Sequence, residues 1–176
     1  MYLPVDDAKV QVSTSIYDWK DNNDGTAVAG NQGNSATTEA FLTWEGFVAA
    51  TIPGGPLDEM TGYLQVMDNL HESDHGFVVG AQLGASKWVR GNYNAWLLFY
   101  DFDGDAFFSP VAQDDTPIPG LGLNDGNAGG MDGVVVGGQY FWRDNIAFKL
   151  WVLTSNADGA DSDPVRVRLD LDFKLM

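Results

Sequence analysis

The stretch Val165-Arg166-Val167-Arg168-Leu169-Asp170-Leu171-Asp172-Phe173-Lys174-Leu175 decides the fold class. Its odd-numbered positions are all apolar and its even-numbered positions all charged. That period of two belongs to a β-strand with one wholly apolar and one wholly charged face. In a soluble sandwich the charged face looks at water, and in a membrane barrel it looks at the lumen. Either way, Arg166, Arg168, Asp170 and Asp172 share one side.

Working back from that strand, seven further stretches read as extended: 8 to 19, 39 to 52, 60 to 69, 76 to 87, 93 to 103, 133 to 143 and 146 to 155. Globular strands centre near about 5 to 6 residues, whereas a tilted strand crossing a bilayer needs about 9 to 11. The lengths favour the membrane. The apolar phase is clear in Leu42, Trp44, Val48 and Ile52 and in Ile146, Phe148, Leu150 and Val152, but between Trp96 and Phe102 both faces are apolar and the phase stays open.

The connectors sort by length. Lys20 to Thr38, Asn69 to His75, Gly104 to Asp132 and Asn156 to Pro164 are long or polar; Pro53 to Glu59, Trp88 to Asn92 and Asp144-Asn145 are short. Outer-membrane barrels pair long outer loops with short periplasmic turns, and eight strands arranged so leave both chain ends on the turn side. Trp19, Trp88 and Trp142 fall near strand ends, where aromatic girdles sit, while Trp44, Trp96 and Trp151 lie nearer strand centres.

Composition agrees with an all-β chain. Among 176 residues there are 21 glycines, 12% aromatics, 44% hydrophobic residues and no cysteine, which suits many strands and turns in one domain, 1–176. The formal charge of −16, with nine basic residues, argues against nucleic acid, whose phosphates demand lysine and arginine clusters. No run of about 18 apolar residues exists for a transmembrane helix. Met1 to Asp7 lacks the basic and apolar regions of a secretory signal, so an exported protein is expected here in mature or truncated form.

The second half resembles the C-terminal half of a bacterial outer-membrane porin family. The residues that carry the resemblance are Gly76-Phe77 with Gly80, Gly84 and Lys87; Gly91-Asn92-Tyr93; Tyr100 to Phe102 with Asp105-Ala106; Gly130-Met131-Asp132-Gly133 with Gly137; Asp144-Asn145; and Leu169 to Lys174. It covers residues 60 to 176 clearly and the first 59 faintly. It implies an antiparallel up-and-down transmembrane β-barrel in the outer membrane, passing small hydrophilic solutes or ions down their gradients. Members are longer, so these are about eight strands of a compact barrel or the last strands of a larger one. Lipid and the barrel assembly machinery are the implied partners, and a homo-oligomer is compatible. The family closes on an aromatic residue, where this chain has Met176.

The inward side chains expected to line the pore are Thr43, Glu45, Gln82, Lys149, Arg166, Arg168, Asp170 and Asp172. Both signs of charge are the expected lining of a hydrated lumen.

Other chemistry is weakly signalled. His71-Glu72-Ser73-Asp74-His75 has the H-E-x-x-H spacing of zinc proteases, but that chemistry needs a helix, and asparagine, serine, aspartate and glycine around it are poor helix formers. Neither histidine has a recognisable nucleophile partner, so no catalytic residue and no enzyme is expected. The acid-rich segments Asp21 to Gly25, Asp101 to Asp105 and Asp158 to Asp163 offer oxygens to calcium, yet aspartate and glycine are also ordinary turn residues, and no cofactor is expected. Gly54-Gly55 and Gly129-Gly130 precede no helix that would make them a phosphate cradle. The reading from another class is a secreted β-sandwich that binds carbohydrate or calcium, which differs from the barrel in what the apolar face touches.

Overall fold

The computed structural model describes residues 2–5, 7–20, 40–54, 57–71, 73–84, 87–103, 106, 130–157 and 165–174. They form one antiparallel sheet whose spatial order follows the chain: β1 (Tyr2–Val5), β2 (Ala8–Lys20), β3 (Ala40–Pro53), β4 (Glu59–Asn69), β5 (Asp74–Leu83), β6 (Tyr93–Phe102), β7 (Met131–Arg143), β8 (Ile146–Ala157) and β9 (Val165–Phe173). The described residues are all-β, with every strand paired antiparallel to the next one in sequence.

The eight long strands coincide with the eight expected stretches to within a few residues, and the expected barrel is only partly present. The sheet is up-and-down and antiparallel, but its order ends at β1 and β9, so the described strands are not closed on themselves. β1 was not expected. It has four residues and a proline, too few to show a period, and it pairs only with the start of β2, Tyr2 opposite Gln11 and Val5 opposite Ala8. Pro4 lacks an N–H and suits an edge position. The short β1 turns the chain back, so Tyr2 lies partway along β2 rather than at the turn side.

Two connectors differ from their expected lengths: the one between β4 and β5 is shorter, and the one between β5 and β6, residues 84–92, is longer than the short Trp88 to Asn92 turn. β4 and β5 pair through to Asn69 opposite Asp74, so the connector expected from Asn69 to His75 is shorter by the pairing of those end residues. The turn is closed by the Ser73 N–H donating to the Asn69 carbonyl (2.9 Å), with Ser73 in the left-handed region at φ 62°. β5 ends at Leu83, earlier than expected, because Gly84 turns the chain at φ +80° with its Cα side against the Tyr93 carbonyl. The hairpin at Asp144-Asn145 carries an irregular register between Phe141 and Arg143. Asp101 lies on β6 rather than in a turn, while the acid-rich segments 21–25 and 158–163 fall largely or wholly outside the described residues.

Register assigns every side chain to a face, because directly opposed residues share one. It also settles the open phase of β6: Ala95, Leu97 and Phe99 point one way, and Asn94, Trp96, Leu98, Tyr100 and Phe102 the other. The second set lies on the inner face. Met67, Val78, Leu98, Tyr100, Phe102, Ala106, Val135, Trp151 and Leu153 form a buried cluster there, with Tyr63 and Trp96 packed against it. Among the described residues the extensive backbone contacts are all between neighbouring strands, so this burial comes from a sheet curled over its own inner face.

Candidate functional site

The eight residues expected to line a pore all lie on the inner face. Gln82 shares a row with Trp96, Gly137, Trp151 and Arg168, and Lys149 stands between Gln139 and Asp170. Glu45 lies opposite Met67, and Thr43 opposite the buried Asn69. Arg166 opposes Leu153 and Asp172 opposes Ala147. Their common side follows from the register, in which directly opposed residues share a face.

The face is not uniformly polar. Its middle, on β4 to β8, is aromatic and aliphatic, and its charge and hydroxyls gather at the two margins. At one margin are Ser13, Ser15, Thr43 and Glu45; the Gln65 side-chain N–H donates to Glu45 Oε1 at 2.9 Å. At the other margin Arg168 Nε donates to Asp170 Oδ1 at 2.6 Å, and Gln139 Nε2 reaches over β8 to donate to Asp172 Oδ2 at 3.1 Å. Where margin meets middle, cations lie over indoles. Lys149 Nζ is 5.9 Å from the Trp96 ring centroid and Arg168 Cζ is 6.0 Å from that of Trp151. Such contacts hold a charge in place without neutralising it. Thr43 Oγ1 and Asp170 Oδ2 are enclosed with no hydrogen-bond partner among the described residues.

Sequence reasoning missed Asn94, Trp96, Gln139 and Trp151 on this face. The signal for them was present: the phase of Ile146 to Val152 can be carried across the two-residue turn at Asp144-Asn145 into β7, and from there into β6.

The opposite, outer face is apolar from margin to margin. One row runs Val12, Val48, Leu64, Val79, Phe99, Val134, and another pairs Leu97, Val136, Val152 and Val167. Most of these side chains are exposed, Val136 at 51%, Leu150 at 50% and Leu169 at 71%. On the loop side the band stops at a line of polar residues: Asp68 opposite His75, then Asp101, Asp132 and Asn156 in direct sequence across β6, β7 and β8. On the turn side it stops at Tyr93, Tyr140, Trp142 and Phe148, with the Arg143 guanidinium 4.9 Å above the Trp142 ring. Between these limits no described residue of β2 to β9 places a charge on the outer face. On β8, Ile146 to Thr154 at about 3.3 Å per residue spans roughly 26 Å along the strand, or about 20 Å at a tilt near 40°.

Of the tryptophans expected at strand ends, Trp142 stands on the outer face. Trp88 instead packs edge-on against Phe141, its centroid 5.4 Å away, and the Trp19 side chain is outside the described set. Trp44, read as central, sits at the loop-side limit opposite Asp68 and donates its indole N–H to Thr14 Oγ1 at 2.8 Å.

The H-E-x-x-H spacing falls on a hairpin. His71 is in the turn and His75 on β5, its Nδ1 3.0 Å from Asp68 Oδ1 and its backbone N–H donating to Asp103 Oδ2 at 2.8 Å. His71 and His75 are thus carried by a turn and a strand, not by the one helix that would set both imidazoles on one metal. Among the described residues no group of three or more histidines and acids is placed to hold a metal ion.

Comparison with known proteins found no matching family model, no matching curated protein and no matching solved structure.

Proposed function

We propose that this chain is a β-barrel protein of the bacterial outer membrane, of porin type, which passes ions and small hydrophilic solutes passively along its inner face. One observation carries the reading. Between its loop-side and turn-side limits the outer face carries no charge among the described residues of β2 to β9; it is bounded by carboxylates on one side and aromatics on the other, and backs onto an inner face that holds both signs of charge. A soluble monomer rarely leaves an apolar patch of more than a few hundred Å² in water. Lipid tails would accept this face, and a band near 25 Å tall is what outer-membrane barrels present to them.

The inner face fits slow, narrow passage. Eight strands enclose an interior just wide enough for side chains to fill. The aromatic cluster occupies one wall, so water and solute would follow the polar margins, where the enclosed Thr43 and Asp170 oxygens would find hydration. Further strands, as in the longer proteins the sequence resembles, would widen the path. The barrel assembly machinery and outer-membrane lipid are the partners this reading implies. A soluble sandwich needs a second sheet to cover the outer face, and all the described strands belong to one sheet.

The test is folding with and without detergent, followed by gel migration with and without heating and by conductance in planar bilayers. Detergent-dependent folding, a heat-dependent shift and small ohmic steps are expected. A monodisperse β-rich protein in plain buffer would sink the reading.

A further inference from the structure

The register is staggered in one direction. The row through Arg168 passes Trp151, Gly137, Trp96 and Gln82 and arrives, by way of Thr61 and Thr51, at Lys9. Arg168 is next to the middle of β9, whereas Lys9 is next to the first residue of β2. Crossing the sheet therefore shifts the strands toward the turn side, and β2 overhangs β9 toward the loop side. In a closed barrel, tilted strands require this kind of offset.

β1 leaves room for that closure. Among the described residues it pairs with Ala8 to Gln11, so from Ser13 onward β2 itself bounds the described sheet. The part of β2 beyond it, Ser13 to Lys20, has eight residues against the nine of β9. Direction selects the same partner: strands alternate along the sheet, so β9 runs antiparallel to β2 and parallel to β1.

Resting on the membrane reading above, we propose that β9 pairs antiparallel with the upper part of β2, Arg168 opposite Tyr17 and Leu169 opposite Ile16, closing β2 to β9 into an eight-stranded barrel. β9 and β1 then lie end to end along one edge of β2. In this register Leu169, Leu171 and Phe173 continue the outer apolar band into Ile16, Thr14 and Val12, while Asp170 and Asp172 meet Ser15 and Ser13 inside. A slip of one residue would turn every β9 side chain over. The offset from Lys9 to Tyr17 amounts to a shear of about eight residues, which for eight strands gives a tilt near 36°. Closure also unites the two polar margins of the inner face into one strip opposite the aromatic wall, which places the solute path along the seam.

The chain has no cysteine, so disulfide trapping reads this directly. Two variants test the seam: Ile16→Cys with Leu169→Cys, and Ser15→Cys with Asp170→Cys. Neighbouring rows alternate between wide and close pairing, so one of the two is at bonding distance. Ala8→Cys with Leu169→Cys is the control for an unstaggered cylinder. Mild oxidation of the folded full chain, in detergent and in buffer, should give an intramolecular bond in one seam variant and none in the control. A bond in the control overturns the register. No bond in either seam variant, or only bonds between chains, in protein that keeps its heat-dependent shift overturns the seam and leaves the membrane reading standing. A seam bond in protein that folds in plain buffer supports the seam and overturns the membrane reading.

Discussion

Tyr100 on β6 donates its phenolic hydrogen to the main-chain carbonyl of Thr154 on β8, 3.1 Å away, passing over β7 at Gly133. The two strands are not neighbours, and a side chain on the strand between them would block the bond. The same device recurs on the inner face. Tyr63 and Leu98 meet over Gly80, and Trp96 lies over Gly137 against Trp151. Each glycine lets side chains two strands apart close over the sheet, and so the curl is written into β5 and β7.

Gly133→Ala should therefore destabilise the fold. Its new Cβ would stand 2.7 Å from Tyr100 Cζ and hard against the Thr154 carbonyl, so the ring must move and the bond is lost. Overpacking costs typically about 1–3 kcal/mol, and a lost hydrogen bond about 1 kcal/mol more. Gly62→Ala is the comparison, since nothing lies within 4 Å of a Cβ there. It should be neutral or stabilising by about 0.5 kcal/mol through lower backbone entropy of the unfolded chain. Urea titration of the folded protein, followed by tryptophan fluorescence, separates the two.

The strands were legible because two-residue alternation survives wherever one face is charged, as it is from Arg166 to Asp172. It failed between Trp96 and Phe102 for a physical reason: that part of the inner face is buried by the curl, so both faces are apolar. The turn at 70–73 was read as longer because Asp74 and His75 look like loop residues, yet they pair with Asn69 and Asp68. A period of four, Gly76, Gly80 and Gly84, was visible on one face of one strand. Its meaning depends on Phe102, Leu98 and Tyr93 in the next strand, and single-strand patterns do not report that neighbour. Closure depends on edges more than a hundred residues apart, and no local pattern speaks to them.

His71→Gln with His75→Gln tests the zinc spacing. The His75 ring is mostly exposed and its contact with Asp68 is a surface one, worth about 0.2–1 kcal/mol when charged. The backbone bond to Asp103 survives the change. The double variant should fold and conduct as the parent does, and neither protein should retain stoichiometric zinc after dialysis when metal content is measured. Retention by the parent alone would weigh heavily against the pore reading.

Arg168→Gln probes the inner margin. It removes the cation 2.6 Å from Asp170 and leaves that carboxylate, with Asp172 next on the same face, to set the local potential. Reversal potentials under a salt gradient should move toward cation selectivity, while Asp170→Asn should move them the other way. The effect should weaken as ionic strength rises, because exposed charges are screened over about 8–10 Å at physiological salt. A variant pair with no change in reversal potential would place the ion path away from this margin.

The outer band makes the sharpest prediction, since lipid and water reverse its sign. Val136 sits mid-band with Leu97 and Val152 as its neighbours, while Tyr140 sits at the turn-side limit opposite Tyr93 and Phe148. Against a bilayer, Val136→Arg should cost about 2–4 kcal/mol of folding free energy and Tyr140→Arg only about 0–1 kcal/mol, because the penalty falls with depth. In water both positions are simply exposed, and a charge at either would improve solubility with little effect on folding. Refolding each variant into vesicles, and comparing the folded fractions by heat-dependent gel migration, distinguishes the environments. A graded loss, large at Val136 and small at Tyr140, is the signature of lipid. Equal and small effects would mean that the apolar face does not meet a membrane.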